Sequence, residues 1–123
     1  MLAGVNRVIV FVGDVERCAS FYRDMFELEV VPSKHVSSEW MELDAGGCRL
    51  AFHQAYGPDG TITSPTGSPR NPHKIVFYAE DVTAMRDRLV RKGAQMDEIE
   101  TFGDITLCDG QDPEGHRFQI SDG

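Results

Sequence analysis

Four basic side chains, Arg7, Arg49, Lys74 and Arg117, stand within or immediately before short runs of β-branched and aromatic residues. Along a strand every second side chain shares a face. Sorting each run so that its apolar members form one face sends Arg7, Ile9 and Phe11 to the other. The same sorting places Arg49, Ala51 and His53, then Lys74, Val76 and Tyr78, then Arg117, Gln119 and Ser121 on such polar faces. Guanidinium and ammonium groups donate hydrogen bonds and accept none, so the chemistry open to them is recognition of an anion such as a carboxylate or phosphate. Phe11, Trp40 and Tyr78 would supply the flat apolar walls common in small-molecule sites. A structural use of the same charges is equally available: Glu42 or Glu39 could pair with them, as buried charges usually are paired. Glu42 is also the nearest candidate general base by its facing.

The histidines divide by position. His53 shares the polar face and either touches a ligand or makes an ordinary strand hydrogen bond. His73 precedes Lys74 and faces the other way, although a one-residue slip of register would exchange the two. His116 falls in or just after a turn and is expected in water. Cys18, Cys48 and Cys108 have no C-x-x-C spacing and cannot all pair internally. They read as small core residues, with neither a disulfide framework nor a zinc knuckle.

The elements that must position these residues occur twice. Arg7-Val8-Ile9-Val10-Phe11-Val12-Gly13-Asp14-Val15 matches Lys74-Ile75-Val76-Phe77-Tyr78-Ala79-Glu80-Asp81-Val82 at a constant offset of 67 residues. Each copy reads as a buried strand ending in an Asp-Val pair that caps and starts a helix. Val15, Cys18, Ala19, Tyr22 and Phe26 then recur at helical spacing over 15–26, and Val82, Met85 and Leu89 over 82–92. The helices should stop at Glu27 and at Gly93, where glycine supplies a left-handed cap. Strands are predicted over 28–31, 39–43 and 48–54 in the first half, and over 95–100, 104–108 and 116–121 in the second. Turns are predicted at Ala45-Gly46-Gly47 and Asp112-Pro113-Glu114-Gly115. Between the halves, residues 56–72 hold four of the six prolines and three glycines with few apolar residues. This reads as a connection outside both cores, either a flap or a linker without a role.

At 123 residues the chain suits a single domain: a first module 1–55, the connection 56–72 and a second module 73–123. Hydrophobic residues at 41% and charged residues at 26% are globular usage, which argues against a disordered or coiled-coil chain. No apolar run is long enough to cross a bilayer and no basic stretch leads an apolar segment at the start. The expectation is therefore a cytoplasmic protein with no membrane partner. A net charge of −8 repels polyphosphate, so no nucleic acid is expected as a partner, while a cationic small molecule would be drawn to the exterior.

Two tandem βαβββ units resemble the vicinal oxygen chelate superfamily, which includes glyoxalase I, extradiol dioxygenases and the bleomycin- and fosfomycin-resistance proteins. The resemblance rests on residues 8–24 (Val-Ile-Val-Phe-Val-Gly-Asp-Val-Glu-Arg-Cys-Ala-Ser-Phe-Tyr-Arg-Asp), on 75–82, and on Asp112-Pro113-Glu114-Gly115-His116. It implies an α+β fold whose two modules form a U-shaped cleft with the helices outside, and a homodimer. It also implies a divalent metal in many members, held by His or Glu on the first, fourth, fifth and eighth strands. Carried over position by position, those ligands fall on Arg7, Ala51, Lys74 and Gln119, with His53 as the one nearby substitute. No metal or other cofactor is expected on such a set.

The resulting expectation is a glyoxalase/bleomycin-resistance-like protein that binds a small organic molecule in the cleft without a metal, the ligand carrying an anionic group. Its expected contacts are Arg7, Phe11, Trp40, Glu42, His53, Lys74, Tyr78 and Gln119. The alternative is an enzyme, a lyase, isomerase or dioxygenase of glyoxalase type acting on a small oxygenated metabolite. In that case Arg7 and Lys74 would stabilise an enolate.

Overall fold

A computed structural model of the chain describes residues 2–32, 38–65 and 73–123. Among them the order is β1 (Arg7–Val12), α1 (Val15–Phe26), β2 (Glu29–Val30), β3 (Trp40–Asp44) and β4 (Arg49–Gln54). There follow β5 (Ile75–Tyr78), α2 (Val82–Arg91), β6 (Gln95–Met96), β7 (Glu100–Phe102), β8 (Ile105–Gln111) and β9 (Arg117–Ser121). The chain divides into two compact units, Met1–Thr66 and Gly67–Gly123. Each is an α+β unit with one helix and one mixed sheet. The sheet orders are β1-β4-β3-β2 and β5-β9-β8-β6, with β7 added on β8. The β1/β4 and β5/β9 pairs are parallel and the remaining pairs antiparallel.

Local chemistry starts both helices in one way. The Asp14 carboxylate accepts from the Arg17 amide at 3.0 Å, and the Asp81 carboxylate from the Ala84 amide at 3.0 Å, satisfying donors that a first helical turn leaves without partners. In α1, Glu16 in the first turn and Arg23 in the last complement the helix dipole. That helix ends on Glu27, a non-glycine residue in the left-handed region with φ 53°, while Gly93 takes that role after α2 with φ 98°.

One face of each sheet packs on its helix. Val12, Leu43, Leu50 and Phe52 are buried against Val15, Cys18, Ala19 and Tyr22, the rings of Tyr22 and Phe52 stacking at 5.4 Å. Met25 is more deeply buried than the predicted Phe26, because 3.6 residues per turn carries the stripe one position back by the fourth turn. In the second unit Cys108, Phe118 and Ile120 close over Val82 and Leu89.

Two expectations need correction. The single strand over 95–100 is instead two short strands, β6 and β7, both pairing with β8, which runs on to Gln111. His116 is not simply in water: it is half-buried, and its Nδ1 lies 3.0 Å from Asp112 Oδ2. Ser121 keeps its expected face, beside Tyr78 of β5, but is buried there, its hydroxyl donating to the Gly123 carbonyl at 2.9 Å.

The connection begins with structure of its own. The Asp59 carboxylate accepts from the Thr61 amide at 3.1 Å, closing a turn across which Tyr56 bridges to Ile62, and the Tyr56 hydroxyl donates to Glu39. Ser64 lies so close to Gly13 that a Cβ built there would stand 3.0 Å from the serine Cβ, so this part of the segment is packed on the first unit. The flap-or-linker question for the rest falls on 66–72, outside the described residues. Among the described residues no helix is long and apolar enough to cross a membrane.

Candidate functional site

The face of the first sheet turned away from α1 can be written as three rows across β1, β4 and β3. Strand register sets Phe11 beside His53 beside Trp40, then Ile9 beside Ala51 beside Glu42, then Arg7 beside Arg49 beside Asp44. Alternation therefore delivers the predicted residues Arg7, Phe11, Trp40, Glu42 and His53 to one surface. Phe11 is 52% exposed, whereas Glu42 is buried at 3%.

Glu42 is buried with two guanidinium groups against its carboxylate. Arg7 Nη1 donates to Glu42 Oε1 at 2.5 Å and Arg49 Nη1 to Oε2 at 3.3 Å. To reach Glu42 from β1, Arg7 spans β4 at the level of Ala51, whose methyl group is small enough to leave room and is itself fully covered. The guanidinium carbon of Arg7 then lies 5.8 Å from the centre of the Trp40 ring, a cation–π approach. The aromatic row follows directly, with His53 tilted against Phe11 at 5.4 Å and edge-on to Trp40 at 5.6 Å.

The second unit repeats the ion pair. Lys74 Nζ lies 3.0 Å from Asp109 Oδ2, and the Gln119 amide donates to Asp109 Oδ1 at 2.9 Å. Burial acts to raise the Asp109 carboxyl, but the Gln119 amide and the Lys74 ammonium, with the charge of Arg117 behind them, hold it below the usual carboxylate range. Arg117 itself bonds Asp97. Tyr78 is 73% exposed on β5, beside Ser121 on β9. Of the two uses the sequence left open for the basic residues, the structure thus displays the ion pair: Arg7 and Lys74 each lie against a carboxylate of their own unit.

Asp109 and Asp97 were missed in the sequence, yet the first was within reach of the internal repeat. Adding the offset of 67 to Glu42 gives Asp109, and Arg7–Glu42 and Lys74–Asp109 both span 35 residues. The duplication thus carries the pair as a unit. Among the described residues no group of three or more His, Cys, Asp or Glu side chains is arranged to hold a metal ion.

A carboxyl held low stabilises the fold above its unfolded pKa, and that contribution disappears as pH falls through the folded value. Substitution Lys74→Met should therefore cost about 0.5–1 kcal/mol at pH 7, a modest sum because both partners keep access to water. Wild type and variant should converge as the pH drops below the ordinary carboxylate range. Urea unfolding at pH 7 and at pH 3 checks this; an unchanged difference at the two pH values contradicts the pairing.

Comparison with known proteins agrees with the fold. No curated protein sequence matches the chain. Among solved structures, the protein SMU.1112c superposes with a TM-score of 0.79 at 21% identity, covering 98% of this chain and 99% of that one. A lactoylglutathione lyase from Agrobacterium tumefaciens gives 0.71 at 18% identity over 97% and 92% of the two chains. TnmS3, an antibiotic binding protein from Streptomyces sp. CB03234, gives 0.73 at 19% over 97% and 94%. At these identities the likeness establishes architecture. The family profile described as Glyoxalase/Bleomycin resistance protein/Dioxygenase superfamily matches residues 4–120, nearly the whole sequence. With its two βαβββ units, the chain belongs to that superfamily.

Proposed function

We propose that this chain is a binding protein, working as a homodimer in the cytoplasm, which holds a small organic molecule on the polar faces of its sheets without a metal ion. The observation that carries the metal-free part of this reading is the duplicated ion pair, Arg7–Glu42 and Lys74–Asp109, which sets a cation of the chain's own on each carboxylate. A divalent ion needs lone-pair donors, and the residues standing at the superfamily's ligand positions are a guanidinium, a methyl group, an ammonium and a carboxamide (Arg7, Ala51, Lys74 and Gln119). The set does not fit a metal. Glu42 and Asp109 are already engaged by cations of the chain, so neither is left to neutralise a 2+ ion.

On the first face two arginines converge on Glu42 while Asp44 in the same row balances the charge, and the remaining guanidinium N–H groups are the donors open to an anionic group of the ligand. The likeness to an antibiotic binding protein supports the general class of a small organic ligand. Metal analysis of protein purified without chelators, followed by thermal unfolding with zinc, nickel, manganese or iron(II), tests the proposal. The expected result is no stoichiometric metal and no stabilisation. A metal present at one equivalent that raises the melting temperature would overturn it, because tight binding to the native state must stabilise.

A further inference from the structure

The aromatic row of the first unit carries a hydrogen-bond acceptor at its centre. His53 Nδ1 lies 2.7 Å from the Gln54 carbonyl oxygen. A carbonyl only accepts, so in the neutral ring Nδ1 bears the proton and Nε2 keeps its lone pair. Nε2 has no partner among the described residues, and no side-chain nitrogen or oxygen among them is buried without one, so this atom reaches solvent. On either side stand Phe11 and Trp40, within 5.4 and 5.6 Å of the imidazole. The Arg7 guanidinium, paired with Glu42, lies against Trp40.

We infer that Phe11, His53 and Trp40 form a subsite for a planar aromatic ring bearing a hydrogen-bond donor, a phenolic hydroxyl or a ring N–H, whose proton His53 Nε2 accepts. The inference rests on the small-molecule-binding reading above and deepens it by assigning the ligand's chemical class. Flat rings pack on Phe11 and Trp40 irrespective of their substituents. Discrimination comes from the imidazole, since a bound ring without a donor leaves Nε2 desolvated and unpaired. The subsite belongs to the first unit alone: the offset of 67 carries Phe11 to Tyr78 but Trp40 to Leu107, and β9 has Ser121 opposite Tyr78 where β4 has His53 opposite Phe11.

Indole and 1-methylindole, the same bicyclic ring with an N–H and with that hydrogen replaced by a methyl group, are suitable probes, titrated at pH 8 beside benzofuran, which lacks the N–H without the added methyl, and followed by nuclear magnetic resonance of the full chain. Wild type should bind indole about five- to tenfold more tightly than 1-methylindole or benzofuran, a range set by the worth of one net hydrogen bond. The substitution His53→Phe keeps a flat ring and should remove the preference, and Phe11→Ala should weaken all three probes. Long-range nitrogen–proton correlation on wild type gives a reading independent of any variant and should show the proton on Nδ1. Equal affinities for indole and benzofuran, binding of neither, or a proton on Nε2 would each overturn the inference. Equal affinities would leave the small-molecule reading standing, whereas a stabilising stoichiometric metal would remove that reading even if indole were preferred.

Discussion

Replacing Asp112 by alanine should lower the unfolding free energy by about 3 kcal/mol, a large fraction of the roughly 5–15 kcal/mol that a native domain possesses. The side chain is wholly buried at the turn before β9. Its Oδ1 accepts from the amides of Glu114 at 2.9 Å and His116 at 3.0 Å, while Oδ2 lies 3.0 Å from the imidazole Nδ1 of His116. Main-chain bonds from Gly115 to the Asp112 carbonyl and from Asp112 to the His116 carbonyl close the same loop. Alanine would strand two backbone donors in the interior, at roughly 1–3 kcal/mol for each group left unsatisfied. The substitution Asp112→Asn retains an oxygen able to accept both amides and should lose less than half as much. Urea unfolding with an unchanged m-value measures both variants. An alanine variant within 0.5 kcal/mol of wild type would show that the turn does not depend on this carboxylate. The consequence extends to the polar face, because β9 leaves this turn carrying Arg117 and Gln119, and Gln119 is the residue that steadies Asp109.

Repetition and alternation made the fold legible. The match of residues 7–15 to 74–82 located both strand–helix junctions, and the three- and four-residue spacing placed α1 at its observed limits, Val15–Phe26. Residues 95–100 resisted because a two-residue strand and a three-residue strand on the same partner lack the length over which alternation can be counted. The polar face of the first unit was legible for the same reason, since parity alone put Arg7, Phe11 and His53 together. Parity says nothing about how far a side chain reaches. Arg7 spans a neighbouring strand to meet Glu42, which depends on the small size of Ala51 and on strand order, neither visible one strand at a time. His116 was misjudged because proximity to a turn is not exposure: a buried aspartate four residues earlier captures its ring.

Substitution of Gly110 by alanine should be nearly as damaging, costing about 2–3 kcal/mol, and for a reason unrelated to glycine's backbone freedom. Gly110 is not among the residues with positive φ; it lies within β8, with Phe118 of β9 opposite on one side and Met96 of β6 on the other. A Cβ at this point would stand 2.5 Å from Met96 Sδ and 2.6 Å from Phe118 Cζ, inside any permissible contact. The thioether can swing aside, since methionine adapts readily. The Phe118 ring cannot, being fully buried, so the added methyl must displace either the ring or the strand. Shortening the obstacle tests this account. Phe118→Leu alone should destabilise by about 1–2 kcal/mol through the space it leaves. Combined with Gly110→Ala, it should cost at least 1 kcal/mol less than the sum of the two single changes, because the new methyl fills part of that space. Strict additivity in the double-mutant cycle would refute the steric explanation. Phe118 also alternates with Arg117 and Gln119 along β9, so a displaced ring would shift the carboxamide that holds Asp109. Proton resonances of the Gln119 side chain should therefore move in Gly110→Ala and return toward their wild-type positions in the double variant.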